Sequence, residues 1–187
     1  YEGPPFKFKA IAARHTNFVN CVRYSSDGNY FFSVSNDMML KIYDGKDGSM
    51  LKETKPHAGT IYAACWSPDG KKIMTCSADK SVKIFSVGEG GEVSEAASVS
   101  LGKSADHMQV GCTWAAAGLL SYGLGGNLSL ISEDGKVTAT QVGHNRPVST
   151  MALCKGKLLT GSFEDAISPL GVIRSWDLAT GLATPFA

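Results

Sequence analysis

The chain has 187 residues, of which 43% are hydrophobic, 19% charged and 9% aromatic, which is the composition of a folded globular protein. Eighteen basic and seventeen acidic residues give a net charge of +1, too balanced for the broad basic surface of a nucleic-acid-binding protein. No apolar run reaches the length of about 18 residues that a membrane-spanning helix needs, so we expect neither a nucleic acid nor a membrane as partner.

The cysteines do not indicate a metal site or a disulfide framework. They are odd in number and form no C-x-x-C pair. We expect all five to be buried, reduced thiols of an intracellular protein, and we predict no metal ion or other cofactor. The five are Cys21, Cys65, Cys76, Cys112 and Cys154.

In chain order, a first strand-like run at Phe6–Ala12 precedes two copies of one repeat. Each copy opens on a histidine, passes an Asp-Gly turn and ends on an aromatic residue in an apolar run. Three pairs of landmarks keep the same spacing of 42 residues: His15 and His57, Asp27 and Asp69, and Tyr43 and Phe85. Such constant spacing predicts a repeat architecture.

Two weaker copies follow. The copy at about 107–142 has lost the histidine, the turn aspartate and the final aromatic residue. The copy at about 143–187 opens on His144 and ends on Trp176 and Asp177. It also carries an insertion at 166–170, which we expect to lengthen a surface turn.

Each copy contains four short runs of alternating or β-branched apolar residues, separated by Gly, Asp and Asn turn signals. In the second copy the runs are Ile61–Trp66, Lys72–Ser77, Ser81–Val87 and Val93–Leu101. Four strands in about 40–45 residues are typical of one blade of a WD40 β-propeller. We therefore predict an all-β fold of about four blades (14–55, 56–101, 107–142 and 143–187), with 1–13 as the outer strand of a preceding blade. Because such rings usually have about seven blades, we expect a segment of a longer ring.

The recurring polar residues predict structural networks. In this repeat type a histidine, a serine or threonine, a turn aspartate and a tryptophan form a hydrogen-bonded chain within each blade. We assign His15, Ser33 and Asp37 with Tyr43 in place of tryptophan; His57, Thr75 and Asp79 with Phe85, which has no donor; and His144, Thr160 and Trp176 with Glu164 or Asp165 as the acid. A catalytic triad needs a single site, whereas this set recurs at the repeat period, so we predict no catalytic residue.

Several stretches resemble one family beyond the generic repeat. They are Glu2–Lys9, His15–Tyr24, Ile42–Gly45, Gly59–Ala63, Gln109–Trp114 and Ser175–Gly181. Together they resemble the actin-interacting protein family, WD-repeat proteins that cooperate with cofilin. The insertion at 166–170 and the eroded third copy depart from the family pattern.

The resemblance implies the later blades of the first of two linked propellers. It also implies a non-enzymatic partner of actin filaments and ADF/cofilin that promotes disassembly of cofilin-decorated filaments, in the cytoplasm and at the cytoskeleton. By motif match, it places partner-binding aromatic side chains at Phe8 and Phe18.

The residues themselves leave alternatives open. Phe8 and Phe18 also suit packing between neighbouring blades. A WD40 scaffold of an unrelated multiprotein complex fits the same repeats. An enzyme with its site in the propeller channel would need acids or bases outside the repeat register, and only Asp106 and His107 qualify.

Overall fold

The computed structural model describes residues 15–154, 156–163, 171–178 and 183–185. Within these ranges, sixteen strands form four antiparallel sheets of four strands each, and every sheet pairs its strands in chain order. The prediction of an all-β propeller architecture is thereby confirmed. We name the sheets blade 1 (β1–β4), blade 2 (β5–β8), blade 3 (β9–β12) and blade 4 (β13–β16). The run predicted at Phe6–Ala12 and the insertion at 166–170 lie outside the described residues.

The strands are short, as the repeat predicts. Blades 1 and 2 consist of β1 (Val19–Tyr24), β2 (Tyr30–Ser35), β3 (Leu40–Asp44), β4 (Met50–Thr54), β5 (Ile61–Trp66), β6 (Lys72–Ser77), β7 (Ser81–Val87) and β8 (Val93–Ser100). Blades 3 and 4 consist of β9 (Gln109–Ala115), β10 (Gly118–Gly123), β11 (Asn127–Ile131), β12 (Val137–Val142), β13 (Val148–Cys154), β14 (Lys157–Phe163), β15 (Gly171–Asp177) and β16 (Ala183–Pro185). The strands of blade 2 match the four predicted runs to within one residue. In the described part of the chain, no helix is long and apolar enough to cross a membrane.

The hairpin between the first two strands of a blade is set by a short polar sequence. The Ser25 hydroxyl donates to the Asp27 carboxylate over 2.6 Å, and the same carboxylate accepts the backbone N–H of Asn29 over 3.0 Å. Gly28 follows with φ of 72°, in the left-handed region that favours glycine. Ser67, Asp69 and Gly70 repeat the arrangement in blade 2, so the same turn residues fix the same register twice.

The hydrophobic core lies between successive blades. The first strands of the four blades, β1, β5, β9 and β13, contact one another in order, which places them nearest the ring axis. One apolar cluster fills each of the three interfaces between blades. Phe32 and Val34 of blade 1, for example, pack against Ile73 and Phe85 of blade 2. Each blade therefore depends on its neighbour for burial, as expected of a repeat architecture.

Candidate functional site

In blade 1 the predicted side chains form a closed network. Nδ1 of His15 lies 2.9 Å from a carboxylate oxygen of Asp37, and Nε2 lies 2.6 Å from the Ser33 hydroxyl oxygen. That oxygen is 2.9 Å from the hydroxyl of Tyr43, which takes the place of a tryptophan N–H. Asp37 also accepts the backbone N–H of Thr16 over 2.9 Å. The network therefore ties the segment before β1 to the turn between β2 and β3.

Histidine, aspartate and hydroxyl are arranged in blade 2 as in blade 1, but the aromatic position differs. Nδ1 of His57 lies 2.8 Å from the Asp79 carboxylate, and Nε2 lies 2.8 Å from the Thr75 hydroxyl. Phe85 occupies the aromatic position and supplies no donor. The Thr75 hydroxyl also lies 3.4 Å from the backbone carbonyl oxygen of Lys83 on the neighbouring strand, but its one proton cannot serve both this carbonyl and Nε2 of His57.

Ser81 is a member of the blade 2 network that sequence reasoning missed. Its hydroxyl donates to Asp79 over 2.6 Å and lies 3.1 Å from Nδ1 of His57. Burial raises the pKa of Asp79, but the hydrogen bond from Ser81 and the charge and hydrogen bond of His57 outweigh it and lower this pKa to about 2. Burial lowers the pKa of His57, against the opposing effect of Asp79. At neutral pH, therefore, a neutral His57 ring donates from Nδ1 to the Asp79 carboxylate.

We expect the free energy of unfolding to depend on the protonation of Asp79 at low pH. The folded pKa of about 2 lies below the ordinary value of 3.8, so the stabilisation is present above about pH 4 and is lost as pH falls towards about 2. The difference in melting temperature between the full-length wild type and an Asp79→Asn variant should persist from about pH 7 to about pH 4 and shrink below that. Thermal unfolding across this range measures it, with the exposed Asp106→Asn as control. A difference that stays constant down to about pH 2.5 would contradict the coupling.

Blade 4 contains the tryptophan form of the network. The indole N–H of Trp176 donates to the Thr160 hydroxyl oxygen over 2.7 Å, and that oxygen lies 2.7 Å from Nε2 of His144. Because an indole N–H can only donate, the Thr160 proton is left for Nε2 of His144. The two candidate acids, Glu164 and Asp165, lie outside the described residues.

Blade 3 lacks the network. Ser121 occupies the strand position that Ser33 has in blade 1, while Ile131 stands at the aromatic position. The Ser121 hydroxyl is buried and has no hydrogen-bond partner among the described residues. The side-chain N–H of Gln109 donates to the carbonyl oxygen of His107 over 2.7 Å, and its side-chain oxygen is likewise unpaired within the described part of the chain. Blade 3 therefore has no histidine network, and two of its buried polar groups lack a partner among the described residues.

These networks hold strands and loops in place. His57 and Thr75 are almost fully buried, as are His144 and Thr160. The bond between histidine and strand hydroxyl recurs in three blades and the bond between histidine and aspartate in two, which is the pattern of a structural device. Their effect on function is to fix the loops at one end of each blade.

Phe18 lies on one of those loops, directly before β1. Its backbone N–H donates to the side-chain oxygen of Asn17 over 2.8 Å, and its carbonyl accepts the backbone N–H of Asn36 over 3.0 Å. The residue is nevertheless 77% exposed, so packing between described blades is not its role. No described blade precedes blade 1, and the apolar side chains of Val19 and Tyr24 on β1 are exposed as well. Phe8, the second aromatic residue of the resemblance, lies outside the described residues.

The described cysteines are free thiols, but the expectation that all are buried is wrong. Cys154, at the end of β13, is exposed because it sits beside a hairpin turn rather than inside an interface. Cys76 is buried. A hydrogen bond with Cys112 and burial raise the pKa of the Cys65 thiol well above its usual value, so this thiol stays protonated at neutral pH.

Asp106 and His107, the two residues outside the repeat register, lie in a 3₁₀ turn between blades 2 and 3. Asp106 is exposed. His107 is half-buried, and its Nδ1 lies 2.7 Å from the Ser104 hydroxyl. Both residues line a polar cavity between these blades rather than a channel along the ring axis.

Comparison with a protein-family model identifies the repeat. The model described as WD domain, G-beta repeat matches residues 7–44 and 48–86. The second match covers β5, β6 and most of β7 of blade 2. The family model thus agrees with the repeat unit deduced from the spacing of histidines.

Comparison with known proteins extends the similarity over 97% of the chain. The chain is 38% identical to WD repeat-containing protein 1 of Gallus gallus, 33% identical to Actin-interacting protein 1 of Drosophila melanogaster and 41% identical to Actin-interacting protein 1-2 of Arabidopsis thaliana. The matched region is 30%, 29% and 30% of these relatives, so the chain spans about three tenths of their length. The chain therefore belongs to the family of WD-repeat proteins that includes actin-interacting protein 1 and WD repeat-containing protein 1.

Proposed function

We propose that this chain is part of a non-enzymatic scaffold that contacts actin filaments and cofilin and promotes disassembly of cofilin-decorated filaments. The single observation that carries the proposal is the exposed side chain of Phe18, on a loop whose backbone is fixed by hydrogen bonds on both sides of this residue. Two of the relatives are named actin-interacting protein, which supports actin as the partner. The site of action is accordingly the cytoplasm and the cytoskeleton.

The loop of Phe18 is suited to binding because it is rigid before a partner arrives. The bonds from Thr16 to Asp37 and from Asn36 to Phe18 hold the backbone on either side. A pre-ordered loop loses little conformational entropy on binding, and an exposed aromatic ring buries a large area for few rotatable bonds. Such aromatic anchors commonly dominate the energy of an interface. Phe8 is the second contact that we propose, on the basis of the sequence resemblance.

Replacing Phe18 by alanine in the full-length protein should weaken binding to cofilin-decorated filaments by about tenfold. The melting temperature should be unchanged, because the Phe18 residue is 77% exposed on the described blades and has few contacts with them to lose. Co-sedimentation with actin filaments, with and without cofilin, measures the binding. Val142→Ala is the matched control, since Val142 is 78% exposed but lies on the outer strand β12.

The outcomes test the proposed function and the proposed binding surface separately. A wild-type protein that stays in the supernatant with and without cofilin would contradict the function and favour a scaffold for an unrelated complex. Wild-type binding that Phe18→Ala and the Phe8→Ala, Phe18→Ala double variant leave unchanged would contradict this surface. A fall in melting temperature that matches the lost binding would assign the phenylalanines a packing role.

A further inference from the structure

A polar cavity of about 280 Å³ lies between blade 2 and blade 3, the blade that lacks the histidine network. Its buried floor includes Gln109 and Ser129, and its rim includes the exposed residues Asp106 and Thr140. In blades 1 and 2 a buried or half-buried histidine bonds to the strand hydroxyl that is equivalent to Ser121. The cavity therefore lies beside the blade that lacks this histidine.

The floor contains a buried acceptor without a donor. Gln109 is only 3% exposed, and its side-chain nitrogen is already used by the His107 carbonyl. The side-chain oxygen of Gln109 lacks a hydrogen-bond partner within the described residues. Since unpaired buried acceptors are destabilising, such a group marks a place where a donor is expected to bind.

Hydroxyl groups extend this polar surface across the sheet. Ser121 is paired in register with Ser129, and Ser129 with Thr140, so all three side chains lie in one row on the same face of blade 3. The Ser121 hydroxyl, at the buried end of the row, is the second polar group that lacks a partner among the described residues. The row leads from the exposed outer strand to the floor.

The charge around the cavity favours a cation. Asp106 contributes a carboxylate at the rim, and none of the residues lining the cavity, all of them in the described part of the chain, is Lys or Arg. Acceptors on the floor and a carboxylate at the mouth together match a ligand that carries both N–H donors and a positive charge. The volume lies just below the range of about 300–1,000 Å³ that is usual for pockets of drug-sized ligands, so the ligand is the size of a single side chain.

We infer that this cavity binds an alkylguanidinium or alkylammonium group, supplied by a free small amine or by an Arg or Lys side chain of a docking protein. The ligand N–H donates to the Gln109 side-chain oxygen, and Asp106 pairs with the charge. The hydroxyls of Ser129 and Thr140 accept the remaining donors. This inference does not depend on actin or cofilin as partner.

The test uses the full-length protein and saturation-transfer difference NMR with ethylguanidinium as the probe. Ethylurea is the matched neutral ligand, because it has the same shape but no charge. Binding of ethylguanidinium should be at least about tenfold stronger than binding of ethylurea. Gln109→Met, which removes the acceptor but keeps the size, and Asp106→Asn should each weaken ethylguanidinium binding by about tenfold. Glu89→Gln, at an exposed carboxylate in another turn, should leave it unchanged.

A pentapeptide with a central arginine and blocked ends distinguishes the two sources. Tighter binding of the peptide than of ethylguanidinium assigns the cavity to a docking protein, and equal binding assigns it to a free amine. The inference is overturned if ethylurea binds as well as ethylguanidinium, if neither gives a signal, or if Asp106→Asn retains full binding. Asp106 is exposed, so its variant tests the inference even if Gln109→Met does not fold.

Discussion

Replacing His57 by alanine is expected to lower the free energy of unfolding of the full-length protein by about 3 kcal/mol. The ring is 4% exposed and joins Asp79 to Thr75 through its two nitrogens. Removing it deprives both groups of a partner, and a buried unpaired polar group costs about 1–3 kcal/mol. The missing ring also leaves a cavity that the rigid strands cannot fill.

Thermal and urea unfolding measure this effect. His107→Ala is the control histidine, because His107 lies outside the networks and bonds only to the exposed Ser104 hydroxyl through its side chain in the described structure. Its loss should cost less than about 1 kcal/mol. Equal destabilisation by the two variants would show that the blade 2 network contributes no more than an ordinary hydrogen bond.

Gly143→Ala is expected to destabilise the protein by a similar amount, about 3 kcal/mol. Gly143 is buried in the connection between β12 and β13, next to His144. A Cβ at this position would overlap the indole ring of Trp176. The ring is held in place because its N–H is bonded to Thr160 and the residue is 4% exposed.

A second substitution tests the cause of this effect. In a Gly143→Ala, Trp176→Phe double variant the smaller ring lacks the atoms that would overlap the new Cβ. The double variant should therefore be more stable than the sum of the single effects predicts, by about 1–2 kcal/mol. Gly88→Ala is the control, since a Cβ there meets nothing closer than 3.9 Å and its φ of −94° suits any residue. Additive effects of the two substitutions would show that the clash is not the cause.

Local spacing was enough to predict the strands and much of the networks. The alternation of apolar residues and the Asp-Gly turns correctly predicted the four strands of blade 2, since both depend on neighbours along the chain. Histidine, hydroxyl and acid at constant spacing likewise come together in blades 1 and 2. The role of Tyr43 was predictable because its hydroxyl can replace an indole N–H.

Other features were not predicted. The part that Ser81 takes in the blade 2 network follows from its position two residues after the network aspartate, a signal that the search for histidine, hydroxyl and acid at the repeat spacing did not include. Cys154 is followed by a lysine, a glycine and a second lysine, a turn signal that the expectation of a buried thiol did not use. The unpaired oxygen of Gln109 and the cavity above it arise only when blade 3 is placed against blade 2.

The amino-acid sequence by itself determined the all-β repeat, the positions of its turns and the residues able to bond within a blade, because these follow from periodicity and hydrogen-bonding capacity along the chain. Only the tertiary structure decided that Phe18 faces solvent, that Cys65 meets Cys112 and that blade 3 encloses a polar cavity. The physical reason is that the exposure of a side chain depends on which surface a neighbouring blade covers. Contacts between blades, moreover, join residues that are far apart in the chain.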